Sequence, residues 1–466
     1  MRRKVSFNNS YPGKRAIVVG AGLSGLSAAR VLADYFDEVI ILDRDELPDD
    51  AIPRPGVPQG KQPHGLLGGG LKALENLFPG FGSELIRAGA EPIDAGFDHL
   101  AEVPGQVIWP RIKLNLPSRS MSRPLIERTL RRQVERIRNI KVKGGCRVLN
   151  IVSESNGDAA TGIQCKLVAG GLETHKSDLV VDASGNGSLT AEFLKSSGRK
   201  APEETSIGLN IRYASAFFER FPIWNDYKIV FTFPDAPDQG RGGIILPVEN
   251  NCHHVVLSGR SKDIPPIDAN EFLNYARRLS TLTIYNAIKD AKRLTDIVPF
   301  SFPESRWRHF ARVPDFPRGL LPIGDAICRF NPVYAQGMTV ASQEANMLSD
   351  LLQTLDGDRL ATLAPIFLTK AETLIADPWA MSAIPDFVYP DTIGERPPDL
   401  VDRLNFQRAL GRLAARDTEI HKLLVEIRHV LKPLCLLDDP SIVRRVEEEM
   451  ANVSPTKESP SSVLTR

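Results

Sequence analysis

The run Arg15-Ala-Ile-Val-Val-Gly-Ala-Gly-Leu-Ser-Gly-Leu-Ser-Ala-Ala-Arg30 constrains this chain more than any other. It predicts a buried strand, a glycine turn and the start of a helix. Gly20, Gly22 and Gly25 stand in G-x-G-x-x-G spacing, with Ser24 inside the turn. Gly20 permits the tight turn, Gly22 lets a pyrophosphate approach the backbone, and Gly25 lets helix and strand pack closely. The helix N-terminus adds free N–H groups and the positive end of its dipole. A second apolar run, Glu38 to Asp43, ends in a carboxylate about 20 residues further on, the place of the acid that takes a ribose hydroxyl. Asp43 and the adjoining Arg44 are therefore placed in the cofactor-binding set. The spacing specifies a dinucleotide and leaves FAD and NAD(P) both open.

With 466 residues the chain has room for two or three domains at about 150 residues each. A formal net charge of +1 argues against nucleic acid as the main partner. The cysteines, Cys146, Cys165, Cys252, Cys328 and Cys435, form no C-x-x-C and read as reduced thiols of a cytoplasmic protein. His253 and His254 are adjacent, point to opposite faces of a strand and make poor metal ligands. No signal peptide is evident. No run approaches the ~20 apolar residues of a membrane span.

The expected fold class is α/β: a Rossmann domain with an inserted, mostly antiparallel β domain and a C-terminal helical region. Residues 14–205 form the first part of the nucleotide domain. Short strands separated by Pro, Gly and Asp turns place the inserted sheet at 206–304. The chain returns to the nucleotide domain at 305–355, and a helical region spans 356–453. Residues 454–466 read as a disordered tail. Ile420, Leu423, Leu424, Ile427 and Leu431 form an apolar stripe in the helical region. It packs on the nucleotide domain or, alternatively, makes a peripheral membrane contact.

Two further segments carry a resemblance. Leu321-Pro-Ile-Gly-Asp-Ala-Ile-Cys-Arg-Phe-Asn-Pro-Val-Tyr-Ala-Gln-Gly-Met338 resembles the GD motif of glutathione-reductase-type flavoproteins. In that motif Gly324 and Asp325 end a strand, the Asp binds the ribityl chain, and a helix starting at Gly337 and Met338 faces the flavin. Pro332 sits where that family places its proline. Asp178 to Ser188 resembles the DG-type motif, with Asp182 near the pyrophosphate. Thr190 at the third glycine position argues against a separate NAD domain. Arg123 matches the arginine that opens a helix beside FAD. In this order the motifs resemble the group A FAD-dependent monooxygenases, with the para-hydroxybenzoate hydroxylase fold. Arg54 to Leu67, Phe78-Pro-Gly80 and Asp377-Pro-Trp379 resemble bacterial polyene- and squalene-epoxidase-like members. The similarity runs from about residue 14 to 450.

This resemblance implies FAD as cofactor and NAD(P)H as electron donor. It implies O₂ addition to give a flavin C4a-hydroperoxide, and epoxidation or hydroxylation of a small apolar organic substrate of secondary-metabolite type. A separate flavin reductase is a possible partner. No strong acid or base is required, and no catalytic residue is assigned. Arg54 and Gln59 are expected beside the isoalloxazine or ribityl chain, with His64 as a loop histidine. Phe217, Phe218, Phe221, Trp224, Phe231 and Phe233 form an aromatic group that is either core or the wall of an apolar pocket. Two alternatives stay open: an FAD-dependent reductase or dehydrogenase of a prenyl or polyene substrate, and a non-catalytic flavin-binding redox protein; a halogenase is disfavoured, because the sequence has no W-x-W-x-I-P.

Overall fold

The computed structural model describes residues 13–155, 157–354 and 359–452. The expected tail at 454–466 lies outside the described residues. A parallel sheet of five strands runs in the order Leu320–Pro322, Leu179–Asp182, Gly13–Val19, Phe36–Leu42, Ile140–Lys143. Four of its strands carry short apolar segments buried on both faces, as parallel sheets require, whereas the edge strand Ile140–Lys143 buries Ile140 and exposes both lysines. The register aligns Val19 with Asp182 and with Leu42, and Asp182 with Pro322. The residues that follow these ends, Gly20, Asp43, Ala183 and Ile323, therefore emerge along one edge of the sheet. Ligands of open α/β sheets bind at that edge.

The helix Leu23–Leu32 packs under this sheet through Leu23, Leu26, Ala29 and Leu32, against the helix Gly337–Thr354. Close packing explains Gly25: a Cβ there would lie 1.9 Å from the Gly20 carbonyl oxygen. Gly20 itself has φ +107° and would press a Cβ against the Ala183 carbonyl at 2.4 Å. A three-stranded antiparallel sheet, Cys146–Ser153, Ala160–Leu167 and Leu172–Lys176, covers the other side of the parallel sheet. Two of the cysteines that look scattered in sequence meet there, Cys146 Sγ lying 2.9 Å from Cys165 Sγ, both as free thiols.

The second large sheet has seven strands. It runs Cys328–Arg329, Val298–Arg308, Glu204–Glu219, Cys252–Gly259, Gly242–Val248, Ile229–Thr232, His99–Glu102. All its pairings are antiparallel except the last, where Phe231 lies beside Ala101 in a parallel ladder. That edge strand comes from residues well before 206, the expected start of the sheet. Four residues, His-Leu-Ala-Glu, are too few to show a strand period in sequence. One face of the sheet is sealed by the helices Ala269–Arg277 and Thr283–Ile288 over Val230, Ile245, Val255 and Leu257. The other face looks towards the nucleotide edge.

The helices Leu400–Ala414, Thr418–Arg428 and Pro440–Ala451 pack together. Ile420, Leu424 and Ile427 of the apolar stripe are buried in that cluster. Its core is thus spent on internal packing and is not open to a membrane. Among the described residues no helix is long and apolar enough to cross a membrane.

Gly25→Ala should lower the unfolding free energy by about 2 kcal/mol or more, because the added methyl meets backbone that cannot yield. Gly22→Ala should stay within about 0.5 kcal/mol of the parent in the ligand-free protein, since nothing lies closer than 3.8 Å to its Cβ position. Urea unfolding of both variants tests the contrast.

Candidate functional site

Gly22 caps the helix Leu23–Leu32 with φ −80° and ψ −179°, a conformation open to any residue. Neither backbone strain nor crowding explains a glycine there. The nearest groups to its missing Cβ are Glu127 Oε1 at 3.8 Å and Arg123 Nη2 at 4.0 Å. What the glycine provides is open space between a helix N-terminus and a guanidinium, which is the shape and charge a pyrophosphate needs.

Arg123 opens the helix Arg123–Glu135, capped by Ser122 Oγ accepting from Leu125 N–H. Its Nε donates to Glu127 Oε1 at 2.7 Å. The second oxygen of Glu127 pairs with Arg54 Nη2 at 3.1 Å, and Arg54 Nη1 reaches Asp43 Oδ2 at 3.1 Å and Asp45 at 3.6 Å. The four side chains Asp43, Arg54, Glu127 and Arg123 form one buried alternating chain. Burial pushes the Glu127 carboxyl up, but the charges of Arg123 and Arg54 outweigh it and hold the group below the ordinary carboxylate range.

This network corrects the expected place of Arg54. Its guanidinium sits at the Asp43 and Gly22 end of the edge, not at the Asp325 end where a ribityl chain or isoalloxazine is expected. Buried carboxylates draw it there, because an interior cation must be paired. Asp43 itself accepts from Ala21 N–H at 2.7 Å and Asp45 N–H at 2.9 Å. A ribose hydroxyl at Asp43 would therefore join an occupied carboxylate. Arg44 is exposed and donates to the Gly56 carbonyl at 2.9 Å, tying down the loop after Asp43. Gln59 is half-buried in the short turn Pro58–Lys61, against the Arg123 helix and the strand Val298–Arg308.

Asp182 is a second correction. It is 1 % exposed and both oxygens are committed. Oδ1 accepts from the backbone N–H and hydroxyl of Ser184, and Oδ2 from those of Thr190. The carboxylate ties the turn to the start of the helix Leu189–Ser196 and has no oxygen left for a cofactor.

Asp325 is the opposite case. It is half-buried, and among the described residues its carboxylate has no hydrogen-bond or ion-pair partner. Burial raises its pKa, with the charges of Arg123 and Arg329 opposing. An acceptor held this way in a protein cleft is ready for a hydroxyl donor. Gly324 places it: φ is +67°, and Ser24 Oγ would lie 2.2 Å from a Cβ at that position. Its N–H donates to Glu344 Oε2 at 2.7 Å. Gly337 lies beside Asp325, its Cβ position 3.8 Å from Oδ1, and begins the helix Gly337–Thr354. Met338 is buried under it, and Pro332 is exposed in the connecting turn. The cleft thus runs from Asp43 past Gly22 and Arg123 to Asp325 and Gly337. These groups fit an extended dinucleotide with a polyol segment.

The six aromatics expected to crowd one region do not. Phe218 and Phe221 belong to the core beneath the covering helices. Trp224 is 61 % exposed and lines a separate cleft of about 400 Å³ with Glu102, Ile108 and Leu282. Only Phe217, Phe231 and Phe233 take the open face: Phe217 stacks on His254 at 4.1 Å and Phe231 lies 6.0 Å from His99. The strand period of two divides adjacent residues between faces. It likewise sends His253 to the Phe221 side and His254 to the open face. His64 accompanies His254 there, its Nδ1 2.9 Å from the Gln62 carbonyl. Burial pushes both His64 and His254 down to about 3, so both are neutral at pH 7. Sequence reasoning missed the buried polar atoms of this region. Both amide atoms of Gln62, the Tyr213 hydroxyl and both ring nitrogens of His254 lack a partner among the described residues. No local pattern announces them.

No protein-family model matches the chain. Among solved structures, the flavin-dependent brominase Bmp2 superposes with a TM-score of 0.63 at 15% identity, over 94% of this chain and 98% of that one. The p-nitrophenol 4-monooxygenase PnpA from Pseudomonas putida DLL-E4 does so with a TM-score of 0.64 at 14% identity, over 90% of this chain and 99% of that one. The fold is that of the FAD-dependent monooxygenases of para-hydroxybenzoate hydroxylase type. The chain is 30% identical over 393 residues to Protein Rv3254 of Mycobacterium tuberculosis, covering 81% of each sequence, and belongs to one family with that protein.

Two outcomes follow. Glu127→Leu leaves Arg54 and Arg123 without their shared carboxylate and should cost about 3 kcal/mol or more by urea unfolding. Glu344 is fully buried, and burial, with Asp325 adding to it, lifts its pKa from 4.5 to about 8 against the Gly324 hydrogen bond. A folded-state pKa raised this way favours the folded protein at low pH. The penalty for ionising Glu344 grows as pH rises from about 4.5 to about 8. Glu344→Gln keeps an acceptor for Gly324 N–H. It should match the parent in Tm below that window and exceed it by a few degrees above it. Thermal unfolding across pH measures this, and a constant Tm difference would reject it.

Proposed function

We propose that this protein is an FAD-dependent monooxygenase that transfers one oxygen atom from O₂ to an organic substrate, with NAD(P)H as electron donor. The observation that carries the reading is the pairing of two features along one sheet edge: the open position at Gly22 beside Arg123, and the unpartnered carboxylate of Asp325. Asp43 would hold the adenosine ribose. The N-terminus of the helix Leu23–Leu32 and Arg123 would neutralise the pyrophosphate, and Asp325 would accept from the ribityl chain. The N-terminus of the helix Gly337–Thr354 would face the pyrimidine end of the flavin, where negative charge collects on reduction. Bound FAD supplies hydride acceptance and oxygen activation.

The chain's own residues have three tasks in this reading. They hold the cofactor extended, shield it from water, and place an electron-rich carbon of the substrate over the open sheet face near Phe231 and His99. Hydroxylation and epoxidation both fit this arrangement. Free thiols at all five cysteines accord with a cytoplasmic location. The names of Bmp2 and PnpA, a brominase and a monooxygenase, support flavin-dependent oxidation as the reaction class.

The purified protein should be yellow, be bleached by NAD(P)H and recover its colour in air. Gly22→Val and Asp325→Ala should each weaken FAD retention by about tenfold or more, with thermal unfolding of the ligand-free protein little changed. Yellow protein that NAD(P)H cannot bleach would assign electron delivery to a separate reductase. Colourless protein that FAD cannot reconstitute would reject the reading.

A further inference from the structure

The helix Thr418–Arg428 ends in an arginine that the functional reading leaves unused. The Arg428 guanidinium lies over the Trp109 ring at 4.7 Å. Among the described residues no carboxylate lies within 4.0 Å of it, and no acceptor takes its N–H groups. The buried arginines Arg54, Arg260 and Arg308 are each paired, with Asp43 and Glu127, with Asp386 and with Glu204. Arg428 is exposed, yet desolvation by the surrounding protein lowers its basicity, with Tyr334 opposing. Both facts together describe a side chain in the wall of a recess, not on an open surface. A partly desolvated cation without a counter-ion is costly unless an anion arrives from outside.

The position of the recess follows from its neighbours. Tyr334, within electrostatic reach of Arg428, lies in the turn between Pro332 and Gly337, just before the helix assigned to the flavin end. His429 follows Arg428, accepts from Gly68 N–H at 3.1 Å and lies 6.4 Å from the His99 ring. His99 in turn meets Phe231 at 6.0 Å. The recess thus joins the open face of the sheet to the proposed flavin site. Burial, together with neighbouring positive charge, pushes His429 down to about 3, and His421 is lowered by the same causes, so Arg428 carries the fixed charge.

We propose that Arg428 anchors an organic anion: the substrate carries a carboxylate or comparable acidic oxygen that pairs with this guanidinium, while its apolar body lies along His99 and Phe231. The proposal deepens the monooxygenase reading and rests on it only for the fate of the bound molecule. It replaces a wholly apolar substrate with an amphipathic one. Arginine suits the task because its planar fork binds carboxylate in two places while its face rests on an indole.

Calorimetric titration of the FAD-loaded protein with 2-naphthoate and with neutral 2-naphthamide tests this. The parent should bind naphthoate about tenfold or more tighter than the amide. Arg428→Met should abolish that preference and leave amide affinity within about twofold, and Arg428→Lys should restore part of it. Flavin absorbance of each variant should equal the parent's, which separates this site from the FAD site. Equal binding of the two probes by the parent, or a preference that survives in Arg428→Met, would overturn the proposal. Titration of the parent decides even if the methionine variant does not fold.

Discussion

The structure depends on parallel pairing between strands that lie far apart in the chain. Gly13–Val19 sits between Phe36–Leu42 and Leu179–Asp182, and the latter pairs with Leu320–Pro322. Each strand is short, and none could hold a ligand alone. Their common register makes the turns after Val19, Leu42, Asp182 and Pro322 neighbours. Parallel pairs need long crossover connections, and the largest of these, between Asp182 and Leu320, carries most of the second sheet. The edge proposed for the cofactor and the face proposed for the substrate are therefore consequences of one ladder. Ile17 and Val18 are both fully buried, in the apolar layers on opposite faces of the sheet, so a slip of one residue would exchange them between two differently shaped cores and move the turn residues out of line.

Much of that edge was legible. Glycine spacing after an apolar strand points to the turn because few backbones accommodate it, and Asp325 was legible through the residues around it. The limits are physical too. Asp182 ends a strand and Asp325 follows one closely, and in sequence they look alike. They differ in whether a hydroxyl stands close by: Ser184 and Thr190 occupy Asp182, and among the described residues no comparable group reaches Asp325. Arg54 was drawn off its expected position by Glu127, 73 residues away. No local rule reports a carboxylate that distant. No local pattern marks Arg428, and only the fold shows that among the described residues no carboxylate lies within 4.0 Å of it.

Charge is handled in two contrasting ways along the same cleft. At the Asp43 end, acids and bases alternate and neutralise one another before any ligand arrives. At Asp325, and again at Arg428, single ionisable groups have no partner among the described residues. The first arrangement makes a rigid wall whose geometry the protein itself determines. The second leaves local binding energy unspent, to be released when a complementary group enters. In the proposed function, where one molecule is retained and another exchanged at every turnover, both kinds are of use.

The strand His99–Glu102 has an architectural consequence. It closes the edge of the second sheet beside Ile229–Thr232, and its last residue, Glu102, is buried where Thr232, Thr281 and Thr283 all donate to it. The sheet that looks like a self-contained insertion borrows its outermost strand from the preceding segment. The two halves are therefore interlaced and not modular. A fragment cut at the apparent boundaries would present a bare strand edge and three hydroxyls without their shared acceptor. Such an edge invites pairing with another chain. Transplanting substrate preference between relatives of this fold would require moving the short His99–Glu102 segment together with the sheet it completes.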